Sequence, residues 1–168
     1  MTVQKIAVIG GGTMGSGIAL TAAIHGISAA IVDTSDEQLQ RAKEYHITQI
    51  ERAVSKERMT QEEGDAASDN CSYFLTMDEA ADADWVVEAA TENVKVKKSI
   101  FTQMYDTFGE RVVLATNTSS ISITDLASSI PDAADRVIGM HFFNPVPVMK
   151  LVEVIKGRET SEETTAAT

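Results

Sequence analysis

The run Lys5-Ile6-Ala7-Val8-Ile9-Gly10-Gly11-Gly12-Thr13-Met14-Gly15 decides the fold. Ile6 to Ile9 is a short, nearly continuous apolar stretch. Such a stretch suits a strand buried on both faces, as in a parallel sheet. Three glycines then break it. From Thr13 the pattern turns helical: Met14, Ile18, Ala22 and Ile24 recur along a helix that Gly26 is placed to end. The glycines fit G-x-G-x-x-G between a strand and a helix, and the next strand, Ala29 to Val32, closes on Asp33. That is the context a dinucleotide fingerprint needs. Gly10 permits the tight turn, Gly12 lets a pyrophosphate approach the backbone, and Gly15 lets helix and sheet pack closely. Thr13 and Met14 open the helix, whose free N–H groups and partial positive charge suit phosphates. Asp33 would accept hydrogen bonds from ribose hydroxyls and repel a 2′-phosphate, so NAD is expected rather than NADP. FAD fits the glycine motif alone.

Working outward, strands and helices alternate. Ser35 opens a long helix striped by Leu39, Ala42, Tyr45 or His46, Ile50 and Ala53, with Gln38 as capping-box partner. A polar segment from Lys56 to Asp69 holds a short helix from Thr60. Tyr73–Thr76, Trp85–Ala89, Val112–Ala115, Val137–Met140 and Leu151–Ile155 read as further strands. Val94 to Phe108 reads as another amphipathic helix. The order implies an α/β, Rossmann-type, doubly wound, mostly parallel sheet with helices on both faces. Residues 1–158 form this domain, and 159–168 begin a linker or helix toward a further domain.

The 168 residues suit one domain, and their net charge of −11 argues against nucleic acid as a partner. No apolar run approaches membrane-spanning length, and nothing resembling a signal peptide precedes the first strand. Met1 lies immediately before that strand, so no upstream fused domain is expected. The lone Cys71 excludes an internal disulfide, and a zinc site would need ligands that are absent. A cytoplasmic setting is expected. Cys71 reads as a small buried hydrophobe, and Trp85 as core. His25 and His46 read as packing or surface residues, and Glu62, Glu63 and Asp65 as a solvated face.

His141 ends a strand and is followed by Phe142-Phe143-Asn144-Pro145-Val146-Pro147, whose prolines forbid a helix. A histidine held there can accept a proton near neutral pH, and Glu153 on the next strand could orient and charge-stabilise the ring.

These residues carry a resemblance. Val3–Gly15, Val86–Ala89, Glu92–Lys97, Asn117–Ser120 and above all His141–Ile155 resemble the L-3-hydroxyacyl-CoA dehydrogenase family, which includes the 3-hydroxybutyryl-CoA dehydrogenases. The resemblance implies roles. His141 matches the catalytic base and Glu153 its carboxylate partner. Ser119 matches the hydroxyl that bonds the substrate oxygen and also a cofactor contact. Asn144 matches a residue near nicotinamide and substrate. Glu92 and Lys97 match cofactor contacts. Lys56 falls where a lysine meets coenzyme A phosphate; a cation near a helix C-terminus explains it equally well. The resemblance further implies NAD (NADH) as cofactor, acetoacetyl-CoA or 3-hydroxybutyryl-CoA as substrate, and a second, helical domain beyond this chain. It implies a homodimer or higher for the longer protein. The chain by itself is expected to bind NAD(H) weakly and turn over slowly or not at all. The competing reading is a non-catalytic dinucleotide-binding protein. Retention of Ser119, His141, Asn144 and Glu153 weighs against it, since a sensor needs only the glycine loop and Asp33.

Overall fold

The computed structural model describes residues 2–168. Seven strands form one sheet: β1 (Lys5–Ile9), β2 (Ser28–Val32), β3 (Cys71–Phe74), β4 (Trp85–Glu88), β5 (Val113–Thr116), β6 (Val137–Phe142) and β7 (Val152–Lys156). Their order is β3-β2-β1-β4-β5-β6-β7. The first six are parallel, and β7 runs antiparallel along β6. The chain reverses its direction of travel across the sheet between β1 and β4, which opens a crevice at their carboxyl ends.

Because strand side chains alternate, each strand feeds two cores. Ala7, Ile9, Val32, Val86, Leu114 and Val137 face α4 (Val94–Thr107) and α5 (Ile123–Ala127). Ile6, Val8, Ile31, Trp85, Val87 and Ile138 face α1 (Thr13–Ile24) and α2 (Asp36–Ser55). The doubly wound expectation is met. Helix α1 is buried nearly all round, at Gly15 through Leu20 and at Ala23, because α2 and α3 (Gln61–Asp69) cover its outer side. Ile24, placed on the buried stripe from sequence, is exposed.

Local signals set most boundaries. Gly26 ends α1 at φ +79°. Thr60 caps α3 in a reciprocal box with Glu63, so Glu63 does more than face solvent. For α2 the box is incomplete. Ser35 accepts the Gln38 backbone N–H, but the Gln38 side chain turns away to donate to the Gly11 carbonyl at 2.8 Å. Strand β3 begins two residues earlier than expected, paired from Ala29↔Cys71, and leaves Leu75 exposed. His141 lies inside β6 rather than at its end, paired with Glu153 of β7. Helix α5 and the short 3-10 turns at Met77–Ala80 and Pro131–Arg136 were not legible in the apolar spacing. A final helix, α6 (Glu162–Ala167), starts at the Ser161 cap. No helix among the described residues is long and apolar enough to cross a membrane.

Candidate active site

The glycine loop is held by close backbone approach. Gly10 adopts φ +108°, and a Cβ there would lie 2.6 Å from Ala90 Cα, so only glycine fits. A Cβ on Gly15 would lie 1.9 Å from the Gly10 carbonyl oxygen. Gly12 is different: a Cβ there would meet nothing within 4 Å. Protein packing therefore does not require glycine at position 12, which leaves approach of a ligand as the reason for it. Gly12 is also the N-cap of α1 and supplies no side-chain cap, and no acidic residue occupies the first turn. The N–H groups of Thr13 and Met14 are thus left for an anion.

The Gly11 peptide is fixed from both sides. Its N–H donates to Asp33 Oδ2 at 2.8 Å, and its carbonyl accepts from Ser16 Oγ at 2.9 Å and Gln38 Nε2 at 2.8 Å. Asp33 Oδ1 accepts the Ser35 N–H at 2.9 Å. Asp33 so anchors the loop and, half-buried, also lines a cleft of about 750 Å³ with Gly10, Leu75, Met77, Ala90, Val96 and Ile100. Apolar side chains share the lining with Asp33, Asp78 and Asp106, and a mixed cleft of this kind at the sheet's carboxyl edge suits a nucleoside.

His46, read as a packing or surface residue, is a core residue of this assembly. It is 2% exposed, and its Nε2 lies 2.8 Å from the Ser16 carbonyl oxygen. A carbonyl only accepts, so Nε2 carries the proton and Nδ1 accepts from Tyr73 Oη at 2.7 Å. Burial holds its pKa below 6.5, with the Ser16 bond opposing. Cys71 is half-buried and its thiol is pushed up to about 11 by burial, which keeps it inert.

Strand β4 and helix α4 carry a buried charge pair. Glu88 and Lys97 are 0% and 1% exposed. Glu88 Oε2 accepts from Lys97 Nζ and from Thr116 Oγ1, the latter at 2.7 Å, while Oε1 accepts the Ala90 N–H at 2.9 Å. Lys97, expected as a cofactor contact, also donates to Thr116 Oγ1 at 3.3 Å. Its ammonium is enclosed against Glu88 because an unpaired buried carboxylate at that strand end would be costly. Glu92 is exposed on the following loop and accepts Thr118 Oγ1 at 2.7 Å.

His141 and Glu153 meet as expected. His141 Nδ1 lies 2.8 Å from Glu153 Oε2, with side-chain exposures of 17% and 54%. A carboxylate accepts, so Nδ1 bears the proton and Nε2 keeps its lone pair. Phe143 packs on the imidazole with centroids 4.7 Å apart. Ser119 follows β5 and Asn144 follows β6, both exposed at the same edge of the sheet. The loop after His141 reaches back to the cofactor helix, since a Cβ on Gly17 would lie 2.9 Å from Val146. Lys56 is exposed as the C-cap of α2.

Comparison with known proteins agrees with this geometry. The family described as "3-hydroxyacyl-CoA dehydrogenase, NAD binding domain" matches residues 5–168. The chain is 43% identical to 3-hydroxyadipyl-CoA dehydrogenase of Escherichia coli over 97% of its length and 34% of that protein. It is 42% identical to a probable 3-hydroxybutyryl-CoA dehydrogenase of Bacillus subtilis, over 98% of this chain and 57% of that one. The crystal structure of (S)-3-hydroxybutyryl-CoA dehydrogenase from Ralstonia eutropha superposes with a TM-score of 0.95 at 43% identity, over 99% of this chain and 58% of that one. The chain spans between about a third and three-fifths of the length of these relatives. It belongs to the 3-hydroxyacyl-CoA dehydrogenase family, of which it carries the NAD-binding domain.

Proposed function

We propose that this chain is the cofactor-binding half of an NAD-dependent dehydrogenase that interconverts L-3-hydroxyacyl-CoA and 3-oxoacyl-CoA. The short-chain pair 3-hydroxybutyryl-CoA and acetoacetyl-CoA is the substrate we favour. The observation that carries the reading is the His141–Glu153 pair, standing on the same sheet edge as the glycine cradle. Gly10, Gly12, Gly15, Thr13, Met14 and Asp33 would hold NAD, with Glu92, Ser119 and Asn144 toward its reactive end. Bound NAD supplies the hydride acceptor.

The residues of this chain do the proton work. His141 Nε2 takes the proton of the 3-hydroxyl, and Glu153 holds the ring by Nδ1 and stabilises the imidazolium that results. In the reductive direction the same Nε2–H returns the proton to the substrate oxygen. The Ser119 hydroxyl orients that oxygen. Lys56 offers a cation to coenzyme A phosphate. Residues 159–168 lead toward the remainder of a longer protein, a homodimer or larger, which completes the acyl-CoA site. A cytoplasmic setting fits the single, inert Cys71.

Addition of acetoacetyl-CoA to the NADH-loaded chain tests the reading. The imidazole resonances of His141 should shift at millimolar ligand, while those of His25 stay put. No shift of His141 at any concentration contradicts the assignment.

A further inference from the structure

Strand β5 stops short of His141. Its ladder with β6 pairs Leu114 with Val137, Ala115 with Ile138 and Thr116 with Gly139, and ends there. Met140, His141 and Phe142 run on, paired only with β7 at Val154, Glu153 and Val152. Backbone N–H groups alternate between the two edges of a strand, so the next donor on the β5 side beyond the last rung of that ladder has no strand partner. The Phe142 N–H is such a donor. It is met by a side chain, at 2.8 Å from Asn117 Oδ1. Asn117 is the first residue beyond β5, and its own N–H donates to the Glu88 carbonyl at 2.8 Å. Thr116 and Thr118 on either side are tied to Glu88 and Glu92. Three successive residues are thus anchored, two to the end of β4 and one to the loop that follows it.

We infer that Asn117 is a positioning residue for the His141–Glu153 pair. Its amide extends the β5 ladder by one rung, from a loop fixed to the cofactor side of the sheet. This holds β6 straight where it would otherwise hang on the edge strand β7 alone, whose residues Glu153 to Lys156 are exposed. The imidazole then keeps Nδ1 on Glu153 and turns Nε2 toward the cofactor end. The inference rests on the reading of His141 and Glu153 as the proton-transfer pair and adds a residue for which that reading has no role.

The test uses the 168-residue chain. Amide exchange and imidazole ¹⁵N spectra are recorded for wild type, Asn117→Ala and Asn117→Asp. In Asn117→Ala the Phe142 amide should exchange about tenfold faster, as loss of one hydrogen bond implies. Ile138 and Gly139 should be unaffected. His141 should change from one Nδ1-protonated tautomer to a mixture. Asn117→Asp keeps an acceptor at Oδ1 and should restore Phe142 protection. Should the alanine variant not fold, Asn117→Thr, which cannot reach Phe142, carries the same test. Unchanged Phe142 exchange with an unchanged His141 tautomer in a folded variant overturns the inference. Glu153→Ala in an otherwise native chain keeps the two claims apart. If that variant leaves the His141 tautomer as in wild type, the pair itself fails, whatever Asn117 does.

Discussion

The two flanks of the sheet are built to different standards. On the β1–β2 flank, backbone meets backbone at Gly10 and Gly15, the Gly11 peptide has its N–H and its carbonyl bound, and His46 seals α1 to α2 and β3. On the β6–β7 flank, the His141–Glu153 pair spans β6 and the edge strand β7 with Glu153 54% exposed, and Val148, Met149, Leu151 and Val154 stand open beside it. The cradle is finished within this chain, whereas the chemical pair rests on few contacts. Rigidity is invested where a dinucleotide must be matched over many atoms. His141 has one carboxylate on its ring, and the strand that carries it one added backbone rung.

The largest expected effect joins the two flanks. Lys97→Met leaves Glu88 buried and unpaired, and should cost about 3–5 kcal/mol in a denaturant melt. A loss below about 1 kcal/mol would mean that Glu88 takes up a proton or finds water. Two glycine variants separate packing from ligand. Gly15→Ala must displace the Gly10 carbonyl and should lose about 1–3 kcal/mol of stability together with NADH binding. Gly12→Ala, entering open space, should melt like wild type yet bind NADH at least about tenfold more weakly. Equal behaviour of the two would erase the distinction drawn between them.

On the open flank, Glu153→Ala should move stability by less than about 1 kcal/mol, as for exposed pairs, while removing the single His141 tautomer. The smallest effect is a pH slope. The His46 pKa is lowered by burial, so its neutral form is the folded one. Its contribution is complete above the unfolded value of 6.5 and is lost as pH falls through the lower folded midpoint. Wild type should therefore lose up to about 1.4 kcal/mol per pH unit between those two values relative to His46→Phe, and no more below the folded one. Parallel stability curves for the two proteins would show that His46 does not report on the seal.

The same contrast explains what was legible. The run from Ile6 to Gly15 followed by Asp33 carries the fold, because each residue type answers a local steric or electrostatic demand. The His141–Glu153 pair was legible from its motif, and the antiparallel register sets the two residues opposite each other. Gln38 misled, since a sequence spacing cannot tell that its amide would find the Gly11 carbonyl rather than its own cap. The Lys97–Glu88 pair was hidden for a related reason: a lysine in a charged stretch, Lys95 to Lys98, shows no sign that it turns inward to Glu88. Helix α5 is only five residues long, too short for apolar periodicity, although the Ser122 cap on Asp125 marked its start. Asn117 was quoted with its neighbours, but its role depends on where β5 ends relative to β6, a matter of register that spacing does not contain.

The central claim is that Gly10–Gly15 and Asp33 form an NAD cradle within this chain. Calorimetric titration of the chain with NADH and NADPH tests it most directly. NADH should bind, weakly, and NADPH should bind at least about tenfold more weakly, with the difference removed in Asp33→Ala. Equal affinity for the two nucleotides, or heat from neither, would contradict it.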